Sequence, residues 1–116
     1  MNVYNVISDI LDLVDPDIAH IHCIQGLGVG ALDACTQRNI KTVVTLHDAW
    51  WICPRQFMIK GDGKFCNQYK IDQKECIKCI NSTSEYLYRS NTLLNSLNKA
   101  DILLAPSKYF TDLYER

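Results

Sequence analysis

Several features that would assign a role at once are scarce or missing here. Glycine and proline are sparse, five and three in 116 residues, and no internal repeat or low-complexity segment appears. No stretch approaches the roughly 20 apolar residues that a membrane span needs. The N-terminus, MNVYNVISDI, has neither a basic leader region nor a long apolar segment, so it does not read as a signal peptide. No long basic run occurs and the net charge is -1, which leaves a weak electrostatic case for nucleic acid. A cytoplasmic protein is expected on these grounds.

What is present is the composition of an ordinary folded domain. Apolar residues make up 47% and charged residues 22%. The length suits one domain with a single core.

Val3, Val6, Ile7, Ile10, Leu11 and Val14 recur at helical spacing until Asp15-Pro16. Proline restricts the residue before it and cannot continue a helix. Residues 18–22 are a short strand candidate. Residues 27–38 put Leu27, Ala31, Ala34 and Cys35 on one helical face, ending near Asn39. Residues 42–46 are β-branched and apolar, a second strand. Residues 49–81 show no clear period. Ser82 and Glu85 then form an S-x-x-E capping box, ahead of a helix that buries Tyr86, Leu93 and Leu97, with Leu87 and Leu94 alongside. Residues 102–105 are a third strand, and Ser107 caps a last helix through Leu113. Strands alternating with helices predict an α/β fold with a parallel, Rossmann-like sheet.

In such sheets ligands bind beyond the carboxyl ends of the strands. Those ends carry His22, then His47-Asp48, then Ser107-Lys108. An apolar strand that finishes in His-Asp points to a cleft, since a neutral histidine can hydrogen-bond a sugar hydroxyl and a charged one can face a phosphate. Each residue also has a plainer role. His20 reads as a core histidine within its strand, Asp48 as the start of an Asx turn, Trp50 and Trp51 as packing residues, and Ser107 as a helix cap. GLGVG at 26–30 lacks the spacing and acidic partner of a dinucleotide fingerprint. A hydrolase built on His47 and Asp48 is disfavoured, because no G-x-S-x-G elbow exists.

Six cysteines are many for a chain of this size. Cys53, Cys66, Cys76 and Cys79 give C-x12-C-x9-C-x2-C inside the aperiodic segment. The last pair has the spacing that lets two thiolates grip one tetrahedral metal. A structural zinc held by all four is the leading reading; an iron–sulfur cluster, free thiols and disulfides are the alternatives. Cys23 and Cys35 read as small core residues. A zinc-stapled α/β module that binds a protein or nucleic acid is the rival function. Against it, Asp62, Asp72 and Glu75 interleave with the insert's lysines at 60, 64, 70, 74 and 78, as on a solvated surface.

DIAHIH at 17–22, GLGVGALDA at 26–34, TVVTLHDAWWICPR at 42–55 and ADILLAPSKYFTDLY at 100–114 together resemble the later half of the N-terminal domain of glycosyltransferase family four, closest to a bacterial subgroup with a cysteine-bearing insert. The resemblance implies a GT-B fold, two Rossmann-like domains across a cleft, with retention at the anomeric carbon and no catalytic metal. It implies a nucleotide-sugar donor, a glycan or lipid-linked acceptor, a hexosyltransferase type of activity, a role in cell-surface polysaccharide synthesis and a peripheral association with the membrane. His47 matches the family histidine near the reaction centre, His22 the second histidine of an H-x-H strand end on the acceptor side, and Ser107 the serine opening the following helix. Asp48, beside His47, is taken with His22 and Ser107 as substrate-binding. The family's early glycine-rich loop would precede Met1, and the E-x7-E pair of its donor domain has no counterpart in the sequence. Residues 1–116 are accordingly expected to form a partial acceptor-side domain with a cysteine-rich insert at 49–81, inactive alone.

Overall fold

The computed structural model describes residues 2–115; Met1 and Arg116, the ends of the expected domain, lie outside the described residues. The helices are α1 (Val3–Val14), α2 (Gly30–Gln37), α3 (Gln73–Ile80), α4 (Thr83–Leu97) and α5 (Lys108–Tyr114), and the strands are β1 (Ile18–Ile21), β2 (Lys41–Thr45) and β3 (Ile102–Leu104). The strands form one parallel sheet in the order β1-β2-β3. Ile18 pairs with Lys41 and Ile21 with Val44, while Val43 pairs with Ile102 and Thr45 with Leu104. This is the α/β, Rossmann-like arrangement expected, with the strand ends of β1, β2 and β3 on one edge.

The local sequence explains the element boundaries. Asp15 ends α1 in a left-handed conformation (φ 48°), its N–H bonded to the Leu11 carbonyl. The Ser82 hydroxyl accepts from Glu85 N at 3.3 Å and opens α4; Ser107 accepts from Phe110 N at 3.3 Å and opens α5. The α2 boundary differs from expectation. Leu27 is exposed and lies before the helix, because Ile24–Gly28 form a turn that closes through Gly28 N and the Ile24 carbonyl at 2.8 Å. Gly28 takes φ 69°, which suits glycine and interrupts any helix running on from Leu27. Gly30 opens α2 against α1, where a Cβ would come within 3.2 Å of the Tyr4 backbone nitrogen.

β2 runs through the core. Thr42, Val44 and Leu46 are buried and alternate with the less buried Val43 and Thr45. They pack with Leu32 of α2, Leu93, Leu94 and Leu97 of α4, Leu113 of α5 and Trp51. A second cluster, Leu11, Ala34 and Cys35, joins α1 to α2, with Ala19 and Ile21 of β1 packed on it. Arg38 clamps the two helices by a bidentate pair to Asp12, at 2.6 and 2.9 Å, and a bond to Ser8 at 3.0 Å. β1 and β3 are the edge strands. All of β3 is exposed, as are Val6, Ile10, Leu13 and Val14 of α1, so the apolar repeat of α1 is wider than the surface it covers. Leu87, expected alongside the α4 core, is also exposed. His20 is exposed rather than in the core, because β1 lies at the sheet edge. Cys35 is buried as expected; Cys23 is exposed, since it follows the end of β1.

Asp101 ties the start of β3 to the start of β2. Its carboxylate accepts from Thr42 N at 2.8 Å, Thr42 Oγ1 at 3.3 Å and Lys41 Nζ at 3.2 Å. These donors, Thr42 N–H first, hold the carboxyl below its ordinary range. A carboxyl with a depressed folded value contributes stability in full above the ordinary value, about 3.9, and loses it as pH falls through the folded value. Asp101→Asn, which mimics the protonated acid, is therefore expected to lower the melting temperature at pH 7. The gap from the parent should close at the acid end of a pH series of thermal melts.

Candidate functional site

Two histidines meet at the carboxyl edge of the sheet. His22 follows β1 directly and His47 lies two residues past β2. Because β1 and β2 are parallel and in register, the two rings emerge side by side, and His22 Nδ1 lies 2.9 Å from His47 Nε2. One nitrogen of this pair donates and the other accepts, so the pair shares one proton. His20 stands next in the row, its ring centroid 4.2 Å from that of His22, with Nε2 2.7 Å from Thr45 Oγ1. His22 and His47 are both exposed. Their free ring edges can therefore reach a bound molecule.

Asp48 secures the turn beneath His47. One carboxylate oxygen accepts from Trp50 N at 2.7 Å, the Asx turn. The other accepts from Gln56 Nε2 at 2.7 Å and Gln25 Nε2 at 3.3 Å. The Asp48 carbonyl accepts from Tyr114 Oη at 2.9 Å, and burial pushes the Tyr114 phenol up, which keeps it a neutral donor. Asp48 thus joins the loop after β1, the insert and α5 at one point.

Beside this pair opens a cavity of about 300 Å³ lined by His47, Asp48, Ala49, Gln56, Phe57, Met58, Phe65, Tyr109 and Phe110. Phe57 and Phe65 come from the insert, Tyr109 and Phe110 from α5. The sequence had given no reason to place Phe57, Phe65, Gln25 or Gln56 here, since only tertiary structure brings them to His47. Ser107 lies at the start of α5 at the same end of the sheet. Its hydroxyl is exposed and caps the helix. Trp51 is buried, as a packing residue should be. Trp50 packs edge-on to it and lies under Arg89, 5.2 Å from the guanidinium carbon to the ring centroid. Arg89 also donates to the Trp50 carbonyl.

The insert holds some regular structure. Ile59 bridges Phe65 in antiparallel fashion, and α3 is a helix where no period was legible. Asp72 caps α3 by accepting from Lys74 N at 2.9 Å. Cys53, Cys66, Cys76 and Cys79 line a second cavity, of about 140 Å³. All four are free thiols. Burial pushes the Cys53 and Cys76 thiols up. Among the described residues, no group of three or more His, Cys, Asp or Glu side chains is arranged to hold a metal ion.

No helix among the described residues is long and apolar enough to cross a membrane. No curated protein and no solved structure matches the chain significantly. The sequence model of Glycosyltransferase Family 4 matches residues 3–116. A match over nearly the whole chain, on a parallel α/β sheet, means that the chain belongs to glycosyltransferase family 4, whose enzymes pass a sugar from a donor to an acceptor.

Proposed function

We propose that this chain forms the acceptor-side domain of a retaining, hexosyltransferase-type enzyme of the GT-B kind, working from a nucleotide-sugar to a glycan or lipid-linked acceptor in cell-surface polysaccharide synthesis. The observation that carries the proposal is the exposed His47, held by His22 at the carboxyl edge of the sheet and opening on the aromatic-lined cavity. Sugars present alternating polar rims and apolar C–H faces. The histidine pair and Gln56 offer hydrogen bonds to the rim, and Phe57, Phe65 and Phe110 offer flat apolar surface to the face. In this reading His47 meets the reacting sugar, His22 fixes its ring, Asp48 holds the turn that presents it, and Ser107 contributes at the same edge. A second domain supplies most donor contacts. The exposed apolar surface along α1 and β3 supports further structure packed there. The reaction takes place on the cytoplasmic side, with the whole enzyme resting on the membrane surface.

Nuclear magnetic resonance titration of the isotope-labelled chain tests the acceptor assignment. Glycan acceptors are expected to shift the signals of His22, His47, Phe57 and Phe65. Shifts confined to other parts of the sheet would move the acceptor site away from His47. The same chain, mixed with nucleotide-sugars and acceptors, is expected to transfer no sugar; measurable transfer would refute the two-domain reading.

A further inference from the structure

We propose that Cys53, Cys66, Cys76 and Cys79 bind one zinc ion through four thiolates, and that this ion fixes the insert as a wall of the His47 cavity. The site is structural. The metal-binding half of the proposal stands without the acceptor reading, whereas the wall's purpose rests on it.

The four thiols come from three separate parts of the insert. Cys53 follows β2, Cys66 follows the Ile59–Phe65 bridge, and Cys76 and Cys79 sit one turn apart on α3, where residues at i and i+3 share a face. They nevertheless open on one cavity. The two other cysteines lie elsewhere, one exposed and one in the core of α2.

Polar groups also face the sulfurs. Gln68 Nε2 faces the Cys76 sulfur at 3.8 Å. Donors aimed at ligand atoms are what a metal site places around its first ring of ligands. Arg55 and Lys60 line the cavity with Glu75, which leaves one excess positive charge beside the negative charge that four thiolates leave around a divalent ion. Four sulfurs with tetrahedral demand select zinc before harder metals. Binding releases the thiol protons to solvent and leaves every sulfur at its reduced level. It draws the sulfurs from the cavity wall to one point, at about 2.3 Å from the ion.

The backbone gives an independent reason. Gln56, Met58 and Asn67 are non-glycine residues at φ 61°, 59° and 61°, each just after a cysteine or close to one. Such conformations persist only where the surroundings over-determine them. Gln56 is held by its own bonds to Cys53, Ala49 and Asp48, but the apolar residues beside Met58 and Asn67 do little, because Phe57, Ile59, Phe65 and Tyr69 are all exposed. Met58 is the exception. It is buried, its carbonyl accepts from Cys66 N at 2.8 Å, and it lines both the cysteine cavity and the His47 cavity. Ordering at the cysteines therefore reaches the His47 wall through Met58, and through Gln68, whose carbonyl accepts from Tyr109 Oη at 2.7 Å.

Elemental analysis decides the metal. Protein purified under reducing conditions without chelator is expected to carry about one equivalent of zinc. Cobalt replacing it should give the absorption of tetrahedral sulfur coordination. Cys76→Ser and Cys53→Ser should each bring zinc below a tenth of an equivalent, and Cys35→Ser should leave it at one. If the serine variants fail to fold, the parent protein still answers. A chelator should raise hydrogen exchange in residues 53–79 while the amides of β1 and β2 stay protected, and should shift the Met58 methyl signal. Less than a tenth of an equivalent of metal in the parent, with the four thiols free or oxidised and the insert ordered, overturns the site. Full zinc with an unmoved Met58 signal on chelation overturns the wall. Neither result depends on glycan binding, so each is separable from failure of the acceptor reading.

Discussion

If the proposed site is right, replacing His47 by Ala in the active enzyme is expected to lower turnover by about two to four orders of magnitude, the range lost with a positioned side chain that moves or steadies a proton. The fold should barely register the change. His47 is exposed, and the bond that holds its side chain is the one to His22. Surface substitutions of this kind shift stability by about 0.5 kcal/mol or less. His22→Ala is the informative partner. It leaves the His47 ring in place and removes the group that orients it, so its effect should be near that of one lost hydrogen bond, about 1 kcal/mol or roughly fivefold. Steady-state kinetics and thermal melts on the two variants separate the roles. Turnover within threefold of the parent for His47→Ala would place the chemistry elsewhere.

The largest stability effect is expected at Leu32. Its side chain is fully buried between α2 and the sheet, in the cluster that contains Val44, Leu46 and Leu97. Leu32→Ala removes buried methylenes and leaves a cavity, at a cost of about 2–5 kcal/mol. Domains of this size are stable by only about 5–15 kcal/mol. The variant should unfold at much lower urea concentration than the parent, with an unchanged slope. Leu13→Ala, at a site 85% exposed, should be nearly silent. Equal midpoints for the two variants would contradict the core described here.

The parts of the fold that were legible in the sequence are those dictated by neighbours along the chain. Asp15-Pro16 stops α1, Ser82 with Glu85 opens α4, and the apolar alternation of 42–46 marks the buried central strand. That the three strand ends would share an edge followed from the alternation of helices and strands. The features that were not legible depend on distant partners. α3 escaped notice because its sequence, QKECIKCI, is half polar and Cys76 is its one buried residue. The exposure of His20 depends on β1 being an edge strand, which no local pattern encodes. Asp48 reads locally as a turn residue, and it is one, but its bonds to Gln25, Gln56 and Tyr114 unite three segments far apart in sequence. The aromatic wall was equally hidden, because Phe57 and Phe65 reach His47 only once the insert folds back on β2.

The position of the insert also bears on the order in which the sheet assembles. β1 meets β2 across one loop, α2 and a short turn, whereas β3 meets β2 only after the whole insert and α4 have been traversed. Closing a longer loop costs more chain entropy, and contacts distant in sequence form late. The β1-α2-β2 unit is therefore the natural nucleus, and β3 joins it last. An insert that first closes on itself, through the Ile59–Phe65 bridge, shortens the path that β3 must search. A segment that shapes a wall in the finished domain thereby sets the pace at which the domain is finished.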